Sequence, residues 1–503
     1  MSRSIKTLLV ANRGEIAVRI MRTCRDLGIR TVAVYSDSDS NALHVCKADE
    51  AYRLPGSKVS ETYLDQARIL EIAREASVDA IHPGYGFLSE NASFAEAVSS
   101  AGLTFVGPPA GSISLLGDKT AARTLARELG IPTIPGSPAA HKEEHEALSF
   151  AMDAGFPVIL KAAAGGGGKG MRIVKSDSEF VRAFKLAASE AHNAFGDSRV
   201  YVEKYLAAPH HVEIQILADQ EGNAIWLGER DCSVQRRHQK IIEESPSPFI
   251  EEDLRKEMGE VAVRLIKAAG YVNAGTVEFL VDHDRNYFFL EVNTRLQVEH
   301  PVTEIVTGLD LVREQLSIAG GNTLSLRQNQ VQFRGHAIEC RVYAEDSYND
   351  FFPSTGILET YREPSGPRVR VDSGAQPGDR VEIHYDPLLA KLVTWGSTRD
   401  EAIRTMRRAL TEYAVGGVHT TIPFCHYLLG HESFIEGEQT TQLINKEFMS
   451  RYMMSNIGSA DDQIAVAVSA VLLFERSNSE LKGFGGALAN GSRWRTRRLD
   501  TYR

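Results

Sequence analysis

Cysteine is scarce and scattered. The 503 residues include five (Cys24, Cys46, Cys232, Cys340 and Cys425) with no Cys-x-x-Cys pair. Neither a zinc site nor a disulfide framework is indicated, and the thiols read as reduced, cytosolic ones. Positive charge is not in excess. With 56 Lys and Arg against 66 Asp and Glu, the net charge of −10 argues against generic nucleic-acid binding and leaves anionic ligands to local basic sites. Long hydrophobic runs are missing too. The run at 8–11 is too short for a signal peptide, and the longest, near 464–474, is too short to span a bilayer. A soluble cytoplasmic protein, with neither membrane nor nucleic acid as a partner, is the expectation. No GxGxxG follows the first predicted strand, which weakens a dinucleotide site. Solenoid repeats are absent. What remains, 43% apolar and 24% charged, is ordinary globular composition, and the length predicts about three domains.

A buried strand at 5–11 is followed by Asn12-Arg13-Gly14-Glu15 and an amphipathic helix closed by Gly28. Further strands at 31–35, 80–81 and 104–106 alternate with helices, the second of them running into His82-Pro83-Gly84-Tyr85-Gly86. This alternation predicts a doubly wound, mostly parallel sheet over 1–117. In the next segment, 118–333, a strand at 157–161 enters a tetraglycine loop, Gly165–Gly168, and resumes at 172–174. Strand–glycine loop–strand is not a Walker A motif, which requires a helix after the glycines. Lys161 and Lys169 flank the loop, and its amides can approach phosphate closely, so a phosphate-covering flap is expected. Strands follow at 201–206 and 211–217. The basic run 229–240 then predicts a strand edge presenting cations to an anionic substrate. Residues 334–448 contain strands near 335–344, 369–371, 380–383 and 392–395, and a helix at 399–413. The tail, 449–503, combines a nearly all-apolar helix at 463–476 with a Gly/Ser/Arg-rich end, as a partner-docking segment would.

The densest signal lies at 273–304, NAGTVEFLVDHDRNYFFLEVNTRLQVEHPVTE. Strand-like runs at 274–281 and 286–293 flank an Asp-His-Asp-Arg turn. A turn centred between Asp284 and Arg285 places Glu278 opposite Glu291, with Cβ atoms about 5 Å apart. Carboxylates so placed repel and call for a cation or a shared proton. Asn293 adds an amide oxygen on the same face, and such a set suits Mg²⁺. Arg295, Gln297 and Glu299 continue the polar face, while Leu290, Val292, Leu296 and Val298 point the other way. Fully extended, Glu291 to Glu299 would span about 26 Å. The chain must therefore bend after Asn293 if these groups serve one site.

In this order, Ala11-Asn12-Arg13-Gly14-Glu15, His82-Pro83-Gly84-Tyr85-Gly86, Lys161 with the tetraglycine loop, Arg230-Asp231-Cys232-Ser233 and Glu291-Val292-Asn293-Thr294-Arg295 through His300-Pro301 resemble biotin carboxylase, the ATP-grasp component of biotin-dependent carboxylases, over residues 3–448. The resemblance implies an α/β ATP-grasp fold with an N-terminal Rossmann-like domain (1–117), an ATP-grasp domain (118–333, with a mobile lid at about 136–206) and a C-terminal biotin carboxylase domain (334–448). By similarity Lys119 and Lys161 contact ATP phosphates under Gly167 and Gly168. The stretch Glu203, Lys204, Tyr205, Leu206 holds adenine with Leu280, and His211, Gln235 and His238 make further nucleotide contacts. Glu278, Glu291 and Asn293 match the ligands of Mg²⁺ or Mn²⁺. Lys240, Arg295, Gln297 and Val298 match the bicarbonate pocket, Glu299 the general base, and Arg341 the residue facing the biotin ureido oxygen. Arg19 and Arg22 fall where the family's homodimer interface lies.

The implied activity is carboxylation of biotin by ATP and bicarbonate through carboxyphosphate. No Met-Lys-Met biotinylation motif occurs, so the biotin carboxyl carrier protein and the carboxyltransferase are expected as separate chains. An acetyl-CoA or acyl-CoA carboxylase, as in fatty acid biosynthesis, is the leading parent complex, with pyruvate carboxylase as the alternative. Another ATP-grasp ligase with an acyl-phosphate intermediate is a competing reading. A non-catalytic paralogue is disfavoured by the joint presence of Lys240, Glu278, Glu291, Arg295, Glu299 and Arg341.

Overall fold

The computed structural model describes residues 4–137, 139–162, 171–195 and 197–455. The tetraglycine loop with Gly167 and Gly168, and the helix expected at 463–476, lie outside the described residues. The chain forms two compact units, Met1–Asn445 and Lys446–Arg503. In the second, the described part is the helix Lys446–Ser455.

In the first unit, strands β1 (Thr7–Val10), β2 (Arg30–Ser36), β3 (Glu50–Leu54), β4 (Ala80–His82) and β5 (Thr104–Phe105) form a parallel sheet in the order β3-β2-β1-β4-β5. β1 reads apolar throughout because both its faces are covered. Leu8 and Val10 pack with Ile16 and Ile20 of helix α1 (Gly14–Asp26), while Leu9 packs with Ile69, Ile81 and Phe94. The two loop motifs are tied together. Asn12 Nδ2 donates to the carbonyls of Pro83 (2.8 Å) and Tyr85 (2.7 Å). Gly84 has positive φ, and a Cβ there would lie 2.9 Å from the Asn12 amide.

A three-stranded antiparallel sheet in the order β7-β6-β8 comprises β6 (Val158–Ala162), β7 (Met171–Val174) and β8 (Val200–Lys204). Helices α2 (Glu144–Ala154) and α3 (Asp177–Phe195) cover one face, burying Val158, Leu160, Val174 and Val202 in a core of its own. The other face carries Ile159, Lys161, Met171, Ile173 and Glu203.

The largest sheet is antiparallel and eight-stranded. It takes β9 (His210–Ala218), β10 (Ala224–Arg236), β11 (Gln239–Ser245), β12 (Asn273–Val281), β13 (Tyr287–Asn293), β14 (His336–Tyr343), β15 (Val369–Ser373) and β16 (Leu388–Gly396) in the order β13-β12-β9-β10-β11-β14-β16-β15. The sheet continues from β11 into β14 through pairs such as Ile242↔Cys340. One expectation needs correction. The basic run at 229–240 is not a sheet edge: it forms the central strands β10 and β11, closed by Arg237 and His238 at positive φ. Arg230 is wholly buried, and Arg236 and Arg237 turn to Asp350. Arg19, expected at a homodimer interface, also makes ion pairs within the chain. It is buried against Glu304 and Asp310, both at 2.7 Å, because α1 packs beside helices α4 (His300–Thr307) and α5 (Leu311–Ala319); the Arg22 side chain is half exposed. Among the described residues no helix is long and apolar enough to cross a membrane.

Candidate active site

One cross-strand row builds the site. Arg230 on β10 pairs with Glu213 on β9, Glu213 with Glu278 on β12, and Glu278 with Glu291 on β13. Three carboxylates side by side repel unless cations lie between them. Arg230 binds Glu213 from beneath, with further bonds to Gln215 (2.7 Å) and Thr303 (2.9 Å). Lys240 Nζ bridges Glu213 (2.6 Å), Glu278 (3.2 Å) and Glu299 (2.6 Å). His211 Nε2 lies 2.9 Å from Glu278, and Lys119 is 2.7 Å from Glu291.

The hairpin places Glu278 opposite Glu291 as expected, by a different route. The pairs Val281↔Tyr287 to Phe279↔Phe289 centre the turn on Asp284, and a bulge at Leu290 then shifts the register by one. Strand β13 ends at Asn293, and the bend brings Glu299 back to the Lys240 that also binds Glu278. Glu299 is fully buried, and Arg341 reaches it at 3.0 Å. Burial pushes the Glu299 carboxyl up, but Lys240 and Arg341 outweigh it and hold the group well below the usual carboxylate range. Burial likewise opposes ionisation of Glu278, and Lys240 and His211 overcome it.

Arg295 gathers the remaining groups. Its Nε donates to Glu90 (2.9 Å), Nη1 to Gln297 Oε1 (2.9 Å) and Nη2 to Asn293 Oδ1 (3.1 Å). Gln297 and Asn293 in turn donate their amide N–H groups to Glu278, at 3.3 and 2.7 Å. The Asn293 oxygen thus faces Arg295 rather than Glu278; a half-turn of the amide exchanges the two atoms. Glu278, Glu291 and Asn293 remain an all-oxygen set on adjacent strands, with the chemistry a hard divalent cation takes. Two tighter groupings, His211/Glu213/Glu278 and Glu213/Cys232/Glu299, already share Lys240 as their countercharge. Val298 enters through its backbone: its carbonyl accepts 2.8 Å from Lys391 Nζ on β16.

On the three-stranded sheet, the face opposite α2 and α3 carries Lys161 and Glu203. Glu203 binds both Lys161 and Arg123, and burial, which raises it, is outweighed by these cations. The 203–206 stretch differs in detail from an open hinge. The amides of Lys204 and Tyr205 are taken by the carbonyls of Pro135 (2.7 Å) and Pro157 (3.0 Å), and Lys204 Nζ donates to Gly155 O at 2.9 Å. Leu206 and Leu280 are half-buried, and Leu280 pairs with His211. Gln235 lies 3.4 Å from His211 Nδ1, whereas His238 sits exposed in the β10–β11 turn.

Residues 4–113 match the biotin carboxylase N-terminal domain, 118–327 the ATP-binding domain of the carbamoyl-phosphate synthase L chain, and 339–446 the biotin carboxylase C-terminal domain. Biotin carboxylase 1 of Bacillus subtilis is 52% identical over 441 residues, covering 88% of this chain and 98% of that one. The chain belongs to the biotin carboxylase family. Its fold is that of the ATP-grasp biotin carboxylases, and its activity is that of a carbon–nitrogen ligase, ATP-dependent biotin carboxylation. The propionyl-CoA carboxylase alpha chain of Ruegeria pomeroyi is 46% identical, with 92% of this chain covering 71% of that one. The biotin carboxylase domain dimer of Hydrogenobacter thermophilus 2-oxoglutarate carboxylase, in complex with MgADP, ADP and bicarbonate, superposes with a TM-score of 0.82 at 45% identity, covering 88% of this chain and 97% of that one.

Several groups in this biotin carboxylase site escaped the sequence reading. Glu213 lies on a strand buried along its whole length, so a charge in that pattern was the available signal. Glu90, Arg123 and Glu243 lie far in sequence from Arg295, Glu203 and Arg341, the residues they bind. Ile159, Met171 and Ile173 share with Lys161 the face of the small sheet opposite α2 and α3. Alternation along β6 and β7 pointed to them.

Proposed function

We propose that this chain carboxylates biotin on a separate biotin carboxyl carrier protein, as the biotin carboxylase component of an acyl-CoA carboxylase. The observation that carries this reading is the Lys240 ammonium set between Glu278 and Glu299, with Arg341 on the far side of Glu299. Lys119 and Lys161 hold the ATP phosphates, while Ile159, Met171, Ile173 and Leu280 supply an apolar bed for adenine. Glu278, Glu291 and Asn293 would hold a magnesium or manganese ion, which would offset charge on the phosphate oxygens.

Bicarbonate is received by the Arg295 fork and the Lys240 point charge, with Gln297 and the Val298 backbone at its rim. Its negative charge competes with Glu299 for Lys240. As that contact loosens, the Glu299 carboxylate loses the cation that depresses its basicity and takes the bicarbonate proton. The bicarbonate oxygen attacks the γ-phosphorus, the bond to ADP breaks, and carboxyphosphate forms. Its decay to CO₂ and phosphate supplies the electrophile for biotin N1′, whose proton leaves to phosphate or Glu299. Arg341 donates to the ureido oxygen as negative charge develops there.

The family matches at 4–113, 118–327 and 339–446 support domains at 1–117, 118–333 and 334–448, and the tail 449–503 is read as a docking segment. The dimer named for the Hydrogenobacter neighbour supports a homodimer. Purified protein given ATP, bicarbonate and free biotin is expected to release ADP only when both co-substrates are present. Biotin-independent ADP release with an amine acceptor would assign the site to another ATP-grasp ligase. The transferase that co-purifies from the native cell identifies the acceptor, and a pyruvate-specific one would replace the acyl-CoA reading.

A further inference from the structure

Beside Arg341 lie two carboxyl groups that the proposed reaction does not use. Glu243 on β11 and Glu339 on β14 are directly paired in register, so they leave the sheet on the same face with Cβ atoms about 5 Å apart. Both are completely buried. Glu243 Oε1 accepts from Arg341 Nε at 2.5 Å, but Glu243 Oε2 and both oxygens of Glu339 have no hydrogen-bond partner. Three unpartnered carboxyl oxygens in one buried pair leave two ionised groups with nothing between them, a placement that is untenable without a proton.

The neighbouring charges lead to the same place. Glu213, Glu278, Glu299 and Glu243 each have a basic side chain in contact: Arg230, His211, Lys240 and Arg341. Glu339 has no such contact. The groups near it and Glu243 are Lys240 on β11, Arg341 and Tyr343 on β14, Lys391 on β16, Glu299 at the start of α4, and the buried thiols of Cys232 on β10 and Cys340 on β14.

We propose that Glu243 and Glu339 share one proton, the Glu339 hydroxyl donating to Glu243 Oε2, and that Glu339 in this neutral form is a positioning residue for Arg341. A second negative charge at Glu339 would draw the guanidinium toward the acid pair and away from Glu299 and the biotin ureido oxygen. A neutral donor fixes Glu243 and leaves Arg341 aimed at the reaction. Burial raises the Glu243 carboxyl to about 7 against the opposing pull of Arg341, and raises Glu339 well above the carboxylate range against that of Lys391. The inference about Arg341 rests on the biotin carboxylase reading; the shared proton does not.

Two measurements separate these. In infrared spectra of the ligand-free, full-length protein at pH 7, the carbonyl stretch of a protonated carboxylic acid is expected in the wild type and lost in Glu339→Gln. Its absence from that difference spectrum overturns the shared proton, whatever the activity. In kinetics, Glu339→Gln retains a neutral N–H donor and is expected to keep kcat/KM for biotin within about threefold, with a flatter alkaline limb in the pH profile. Glu339→Ala leaves Glu243 Oε2 without a donor and is expected to lose about tenfold or more in kcat/KM for biotin, with KM for ATP unchanged. A Gln variant that folds but is as impaired as the Ala variant overturns the neutral positioning role, as does an unaltered alkaline limb. If Glu339→Ala does not fold, Glu339→Gln and its spectrum decide alone. Wild-type protein lacking biotin-dependent ADP release would remove the biotin carboxylase reading, while the infrared band would still report the shared proton.

Discussion

Glu299 is held by two cations at once, Lys240 at 2.6 Å and Arg341 at 3.0 Å. A carboxylate so stabilised is ionised at neutral pH but a poor base, and it becomes a competent one only when an incoming anion takes over part of its countercharge. Glu299→Gln preserves shape and the contact with Arg341 while removing the proton acceptor. It is expected to lower biotin carboxylation by roughly 10²–10⁴-fold and leave KM for ATP close to wild type, in a steady-state ADP-release assay. Little change in rate would remove Glu299 as the base. Glu291 is a different case. It is partly exposed and bound to Lys119, on the row's open end. Glu291→Gln is expected to raise the concentration of Mg²⁺ needed for half-maximal rate, with the bicarbonate KM much less affected. An unchanged Mg²⁺ titration would take Glu291 out of the ligand set.

At the level of elements, the hairpin shows what the chain's pattern makes legible. Alternation between residues 274 and 293 gives both strands and their polar face, whereas the expected pairing of Glu278 with Glu291 rests on a turn centre that lies half a residue away from the observed one. The bulge at Leu290 is not legible in the same way: an inserted residue leaves no mark when its neighbours are aromatic and aliphatic throughout. The stretch 229–240 misleads for a related reason. Its basic residues suggest an exposed edge, but Arg230 is neutralised by Glu213 from the neighbouring strand, a pairing that only the sheet order reveals. Lys391 is the strongest example. It lies on β16, fully buried, bonded to Glu15 at 3.2 Å and to the Val298 carbonyl at 2.8 Å. Nothing in its own segment marks it, yet it clamps the turn between Gln297 and Glu299 to helix α1. Lys391→Met removes the donor and leaves Glu15 without its cation. The expected result is a severalfold higher KM for bicarbonate with a smaller change in KM for ATP, and Lys391→Arg should recover part of it. Equal effects on both substrates would indicate general loosening instead.

For the whole molecule, acid stability follows from how the N-terminal sheet is closed. His82, at the end of β4, uses both ring nitrogens in its neutral form. Nδ1 accepts from the Gly84 amide at 3.0 Å, and Nε2 donates to Gln315 Oε1 at 3.3 Å. A second proton on Nδ1 would face that amide N–H. His44 is equally enclosed, against the Val34 carbonyl. Burial lowers both groups to about 4, opposed for His82 by Gln315 and for His44 by Asp39. Between the ordinary histidine value near 6.5 and about 4, the unfolded chain holds these protons and the native chain does not. Protons therefore bind preferentially to the unfolded state, and stability falls as pH drops through that window and is flat above it. Each group contributes up to about 3 kcal/mol to the fall. His82 ends β4 whereas His44 lies on the helix Leu43–Lys47, so their effects should add. His82→Gln keeps a polar partner for Gln315 and cannot be charged. Its urea midpoint should be lower than wild type at pH 8, yet fall less steeply from pH 6.5 to 4, and the difference between the two slopes isolates His82. Parallel slopes would mean that His82 titrates in the folded protein much as it does in the unfolded chain. The buried neutral ring would then not be what holds the His82–Gly86 loop against Asn12.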